Sequence, residues 1–421
     1  MEERHLKESA SPEKTSVRYF YGWNMAAACF FIVFALWGAY YGFSVFFKSM
    51  TSEFGWTRAQ TSAAMTISLL IGGLTAPIVG RLIDRYGSRL IMTICAVLAG
   101  LGYTMLSTVT SLWQYYIWYG LVIGLAMSGS YVVPAAIVNH WFIRKRGLVL
   151  GLVFSAFGVG QMLVPPLATQ LLKAFDWRTS YIFIGCGVFV LTFASALFLR
   201  DFPRDKGLMP DGEAKSAERD KIAAWGFTFG EAVRTSGYWL LLAVWFVFAI
   251  PTYIIGVHLI PYATDVKIDP MKAATIFTVI GSFNIGGRIV FGHLCDKWGN
   301  KPVVFISFAS VFLGMLVMIG AKDLWAFYLA GALYGTFYSA VDIAIIKVTG
   351  DFFGNRAIGA IMGTTGLAWR TGAAGGTIVA GLIFDLTRSY SNAFALAALS
   401  MAASLVVSFF LFRHRPQMAA S

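Results

Sequence analysis

The sequence predicts an all-α integral membrane protein: twelve transmembrane helices in two parallel six-helix repeats, with both termini in the cytoplasm. Three observations lead there. First, 57% of the 421 residues are hydrophobic and only 13% are charged, whereas soluble domains carry about 25% charged residues. The apolar residues fall into about twelve runs, each of roughly 20 residues or more and so long enough to cross a bilayer. Second, the glycine-bounded charged turn Gly80-Arg81-Leu82-Ile83-Asp84-Arg85-Tyr86-Gly87-Ser88-Arg89 returns as Gly292-His293-Leu294-Cys295-Asp296-Lys297-Trp298-Gly299-Asn300-Lys301. The shift that carries Gly80 onto Gly292 also aligns Trp141 with Phe353, Arg144 with Arg356, Gly147 with Gly359 and Gly151 with Gly363. One ungapped register through two separate loops is the signature of a repeat. Third, with the N-terminus placed in the cytoplasm, 23 of the 33 Lys and Arg residues fall on the cytoplasmic side, 8 fall outside, and Arg288 and Arg370 remain within the membrane. The positive-inside rule favours that orientation.

Residues 1–20 are polar, and the apolar run behind them is too long for a signal-peptide core, so it reads as an uncleaved first span from about Trp23 to Phe47. After the outer loop Thr51–Ala59, span 2 runs to about Ile78 and contains Gly72-Gly73 and Pro77. Gly87 supplies the backbone freedom that ends this helix at the first charged turn. Spans 3 and 4 cover about Leu90–Thr108 and Leu112–Val138. The basic turn Asn139–Gly147 leads into span 5, and span 6 covers about Tyr181–Leu199. Residues 200–235 form the one long polar segment, a linker between a first half at 1–199 and a second at 236–421. Its end, Ile222–Val233, suits a short amphipathic helix on the membrane surface. Spans 7 to 12 lie near Tyr238–Tyr262, around Arg288, Pro302–Gly320, Trp325–Ile346, Ile358–Ile383 and Asn392–Phe412.

The net charge of +12 follows from this topology and does not indicate a nucleic-acid partner. Cys29, Cys95, Cys186 and Cys295 show no paired spacing, so neither a disulfide framework nor a zinc site is expected. There is no glycine-rich phosphate loop, metal-ligand cluster or Ser/His/Asp set, and hence no enzyme chemistry, metal or cofactor. No filter-like re-entrant segment favours a channel.

Arg288 is the first candidate site residue. A charge at the centre of a span costs about 2.5–3.5 kcal/mol on insertion scales, and it faces the bundle interior or water. A guanidinium there either completes a structural ion pair or matches a carboxylate in bidentate geometry. Its neighbour one turn back, Asn284, is neutral. Arg370 in span 11 is either a second clamp on the same anion or the partner of Asp342, the one acid well inside a span. His258 titrates near neutrality and lies toward the outer end of span 7, as an interface residue, a substrate contact or a proton carrier. Tyr40, Tyr41, Tyr131, Tyr334 and Tyr338 offer hydroxyl donors to a cavity, although most aromatics here pack or anchor. Asp84, Arg85, Arg89, Asp296, Lys297 and Lys301 are placed to cap and pair at cytoplasmic helix ends and, as a latch, to hold the halves in one conformation.

Laid out this way, nearly the whole chain resembles a twelve-span major facilitator superfamily transporter, with Gly80–Arg89 and Gly292–Lys301 as the two copies of that superfamily's loop signature. Within it, Tyr21-Gly22-Trp23, Glu53–Ala59, Trp141-Phe142 with Arg146-Gly147-Leu148, and Arg288 are similar to the monocarboxylate transporters and the oxalate:formate antiporters. The resemblance implies that Arg288 binds a carboxylate and that Arg370 stands where the antiporters use a lysine. The chain departs where many monocarboxylate transporters carry a proton-coupling aspartate four residues before the arginine. That position is Asn284, which leaves His258, Asp342 or the substrate carboxyl to carry a proton. The expectation is a monomeric, multi-pass protein of the plasma (cell inner) membrane that moves small carboxylates by alternating access. Lactate- or pyruvate-like anions with proton symport come first; oxalate/formate-type exchange against a counter-anion, or a transporter-like membrane sensor, is the alternative.

Overall fold

The computed structural model of the chain describes residues 20–210, 226–354 and 356–414, apart from the side chain of Asp84. Twelve helices long and apolar enough to span a membrane account for nearly all of it. They are α1 (Gly22–Phe54), α2 (Arg58–Tyr86), α3 (Ser88–Leu106), α4 (Leu112–Trp141), α5 (Arg146–Ala174), α6 (Trp177–Phe198), α7 (Ser236–Asp265), α8 (Pro270–Trp298), α9 (Asn300–Ile319), α10 (Leu324–Phe353), α11 (Ile358–Thr387) and α12 (Ser391–Arg413). Several extend beyond the apolar runs read from the sequence. α10 continues through Lys347 to Phe353, because its intrahelical hydrogen bonds do not stop where hydrocarbon does.

The structure adds irregularities to these helices. α1 is interrupted at Gly42, and α4 passes through a π-helical stretch over Tyr116–Ile123. Such insertions occur frequently at functional sites, and this one carries Tyr119, whose ring stacks on Tyr40 with centroids 6.1 Å apart. The surface helix expected over Ile222–Val233 is shorter: residues 222–225 lie outside the described residues, Gly226 bridges to Gly354, and the helix covers only Phe229–Val233.

α1 to α6 pack on one another, chiefly α1 with α5 and α6, α2 with α4, and α3 with α6. α7 to α12 do likewise, chiefly α7 with α11 and α12, α8 with α10, and α9 with α10 and α12. The two groups meet where α2 lies along α11, α5 along α8, and α1 along α7. The charged turns stop their helices alike. Gly87 and Gly299 take φ of 84° and 82°, and their N–H groups bond back to Ile83 and Cys295; positive φ favours glycine.

Close approach between helices depends on a few other glycines. A methyl group at Gly287 would lie 2.4 Å from the Thr336 carbonyl oxygen, and one at Gly335 would lie 2.3 Å from that of Ile280. These contacts hold α8 against α10, where small residues do the packing that hydrophobicity cannot do in lipid.

Candidate functional site

Because Gly287 brings α8 onto α10, the next residue, Arg288, meets Asp342. The Arg288 Nη2–Asp342 Oδ2 distance is 3.0 Å, and Arg288 Nε donates to Asn284 Oδ1 at 3.2 Å. The two charged side chains are 19% and 23% exposed, so the pair is largely withdrawn from solvent. The sequence left Asp342 open as a partner for Arg370; its partner is Arg288. Tyr41, Tyr131 and Tyr338 lie within electrostatic range of both charges. Tyr131 reaches there from α4, half-exposed and stacked on Phe154 at 4.6 Å. Tyr334 is buried behind Tyr338, ring against ring at 5.2 Å.

Arg370 is in a different state. Among the described residues it has neither an ion-pair nor a hydrogen-bond partner, although it is half-buried and at mid-span. The guanidinium crosses from α11 onto Gly72 and Gly73 of α2. A methyl at Gly72 would lie 2.7 Å from Arg370 Nη1, and one at Gly73 would lie 2.7 Å from Arg370 Cδ. The glycine pair thus cradles a cation as well as easing helix packing. Tyr40 and Tyr253 are its nearest electrostatic neighbours. Tyr40 donates to Ser68 Oγ at 2.9 Å, while the buried Tyr253 hydroxyl has no hydrogen-bond partner among the described residues. Tyr253 is in turn within range of Tyr41 and Tyr338, so a line of tyrosines joins the surroundings of the two arginines.

Away from the chain ends the bundle is closed. Asp385 on α11 accepts from the first two N–H groups of α2, Arg58 N at 2.9 Å and Ala59 N at 2.8 Å, completing a cap whose other half is the local Thr57–Gln60 capping box. The Arg58 side chain pairs with Asp265 of α7 at 2.7 Å, donates to the Tyr390 hydroxyl at 2.6 Å and lies over the Phe384 ring. Lys48 of α1 also reaches Asp265, at 2.5 Å. Lower down, Ser44 donates to the Val257 carbonyl, Thr66 to Ala374 and Thr278 to Met162. Hydrogen bonds, ion pairs and ring contacts join α1–α6 to α7–α12 at this end and near the level of Arg370. The bundle is thus joined at the far end.

This closure holds His258, which is fully buried with Nδ1 3.0 Å from the Tyr390 hydroxyl and Nε2 2.9 Å from the Thr377 carbonyl oxygen. It stands apart from both arginines and faces the closure. Sequence reasoning missed the closure itself. In the sequence Arg58 is one residue of the outer loop Thr51–Ala59 and of the stretch Glu53–Ala59; the available signal is an acid at the outer end of each of spans 7 and 11.

The residues expected to form a cytoplasmic latch make no ion pair between the two groups of helices among the described residues. Asp296 pairs with Lys347 within the second group of helices, Arg85, Arg89, Lys297 and Lys301 are exposed without ion pairs among the described residues, and the Asp84 side chain lies outside the described residues.

Gly381 sets the tightness of the closed end, since a methyl group there would sit 2.7 Å from Ser62 Oγ and 2.8 Å from Ala59 Cα. Gly381→Val is expected to wedge α11 from α2 and to raise labelling of a cysteine placed at the neighbouring buried Ser62 by a membrane-impermeant maleimide at least about fivefold, at the cost of the roughly 1–3 kcal/mol typical of overpacking. Unchanged labelling would show that this contact does not control the closure.

The Major Facilitator Superfamily model matches residues 29–321 and 263–421. The chain is 24% identical over 408 residues to monocarboxylate transporter 4 of Gallus gallus, covering 94% of this chain and 84% of that protein. It is 25% identical over 394 residues to monocarboxylate transporter 11 of Homo sapiens, covering 90% and 80%. It is 24% identical over 323 residues to the uncharacterized MFS-type transporter YhjX of Escherichia coli, covering 75% and 77%. Its fold is similar to the crystal structure of a bacterial homolog to the human lysosomal transporter Spinster in an inward-facing and unoccupied conformation, with a TM-score of 0.69 and 14% identity over 96% of this chain and 100% of that one. The match runs through both groups of six spans, and the chain belongs to the Major Facilitator Superfamily.

Proposed function

We propose that the protein is a secondary transporter of small monocarboxylates, of lactate or pyruvate size, moved with a proton by alternating access. The observation that carries this reading is the unpartnered guanidinium of Arg370. A cation held half-buried at mid-span with its donors unused has a cost that an anionic ligand removes. The carboxylate lies on Arg370, with Tyr253 as a hydroxyl donor and the line of tyrosines leading toward Arg288. The names of the curated relatives support the substrate class.

Asp342 is the carrier of the transported proton in this reading. While ionised it holds Arg288; once protonated it releases Arg288 to the carboxylate, so anion and proton are taken up together. Asn284 cannot supply that proton, and Asp342 reaches the same arginine from α10 instead. The end bearing the termini is cytoplasmic in this reading, which the excess of Lys and Arg there supports, and the two six-helix repeats rock about the site. The latch residues Asp84, Arg85, Arg89, Asp296, Lys297 and Lys301 engage when that end closes. The protein works as a monomer in the plasma (cell inner) membrane.

The test is uptake of labelled lactate into proteoliposomes with and without an inward proton gradient. Gradient-driven accumulation is expected in the wild type. In Asp342→Asn, exchange of lactate should persist while accumulation above equilibrium is lost. No lactate uptake under either condition would overturn the monocarboxylate reading, and oxalate–formate counterflow would then test anion exchange.

A further inference from the structure

The closed end contains a chain of hydrogen bonds whose direction is fixed by its last member. The Thr377 carbonyl oxygen, 2.9 Å from His258 Nε2, can only accept, so Nε2 carries a hydrogen. In the neutral ring Nδ1 is then an acceptor, and it takes the Tyr390 hydroxyl hydrogen across 3.0 Å. The Tyr390 oxygen accepts from Arg58 Nη1 at 2.6 Å. Arg58 is therefore bonded, through one tyrosine, to an imidazole that must be neutral for the chain to hold.

The groups around the ring leave no place for an imidazolium. α1 contributes the Phe47 ring, 5.3 Å away, and Lys48; α2 contributes Arg58; α7 itself contributes Tyr262 and Asp265; α11 contributes Thr377, Phe384 and Asp385; Tyr390 precedes α12. Both acids are already engaged, Asp265 by Lys48 and Arg58, and Asp385 by the N–H groups that open α2. A proton on Nδ1 would make that nitrogen a donor. The Tyr390 oxygen would then face N–H groups from two cations, and its own hydrogen would lose its acceptor.

We propose that His258 is a proton-operated release for the far-end closure: protonation of its imidazole breaks the Tyr390–Arg58 link and holds the bundle open to that side. The closed bundle accepts only the neutral ring, and in the open one the ring meets water. Protons therefore bind the open form preferentially and shift the population toward it. The sign follows directly: opening is favoured as pH falls through the imidazole range and closure as it rises. With an ordinary imidazole pKa of about 6.5 in the open form, the open-to-closed ratio rises about tenfold between pH 7.5 and pH 5.5. This inference concerns access and not cargo, so it stands independently of the monocarboxylate reading.

The experiment uses the full chain in lipid nanodiscs, with the four native cysteines replaced and spin labels at Ser52→Cys and Lys322→Cys, two exposed positions on opposite sides of the closure. Electron–electron distance distributions are recorded at pH 7.5 and 5.5. The expected result is growth of a longer-distance population at pH 5.5, by about tenfold in the ratio of long to short. His258→Gln keeps a donor for Thr377 and an acceptor for Tyr390 but binds no proton, and it should remain closed at both pH values. Should that variant fail to fold, Tyr390→Phe cuts the same link and should also lose the response. A wild-type distribution that does not move with pH overturns the proposal. So does a full response surviving in His258→Gln or Tyr390→Phe; loss of the response in Asp385→Asn would then assign the proton to the carboxylate.

Discussion

Arg370→Gln is expected to lower lactate uptake at least about a hundredfold while leaving the protein folded. Loss of one charged partner from a desolvated charge pair costs roughly 2–5 kcal/mol, and each 1.4 kcal/mol is a factor of ten. The variant should not unfold the bundle, because among the described residues Arg370 has no partner to strand; its removal takes away a half-buried charge. Arg370→Lys should retain part of the uptake, as a point charge without the planar fork. The check is initial uptake rate set beside thermal unfolding of the same preparations. Wild-type uptake in Arg370→Gln would remove the anion site from α11 altogether.

Arg288→Gln is expected to behave differently, lowering stability as well as uptake. Its guanidinium is committed to Asp342 and Asn284, and breaking a buried pair by removing one partner costs about 3–5 kcal/mol, because the other charge is left uncompensated. The pair is about one-fifth exposed, so the lower end of that range applies. The double variant Arg288→Gln/Asp342→Asn removes both charges and should regain most of the stability without regaining uptake. Thermal unfolding of the two single variants and the double variant closes the cycle. Additive losses in the double variant would mean that the pair is not coupled, and that Arg288 is held by something other than Asp342.

The pair of predictions divides what the residues alone made legible from what they did not. Both intramembrane arginines stand out in the sequence because a charge in an apolar run is conspicuous by composition. Which of them carries its own counter-ion is decided by α8 lying against α10, a contact that depends on the missing side chains of Gly287 and Gly335. Arg288 and Asp342 are 54 positions apart, and no spacing rule within one helix relates them. Gly72-Gly73 similarly read as a packing motif, and only the path of α11 turns it into the seat of the Arg370 guanidinium. His258 read as a lone histidine near a span end. Its role in a directed chain to Arg58 needs three other elements, α2, α11 and the start of α12, to arrive at one point.

By itself the sequence determined that this chain is a twelve-span helical membrane protein. Hydrocarbon leaves every backbone polar group to be satisfied within its own segment, so length and apolarity of each run are enough to define a helix there. It also determined the charged turns and their glycine stops, which are local, and the superfamily to which these features point. The tertiary structure alone decided which buried charges are neutralised, which end of the bundle is closed and what closes it. Those are pairings between helices distant in the chain, set by side-chain volume at their crossings and by the conformational state, and neither is written in the period or composition of any one span.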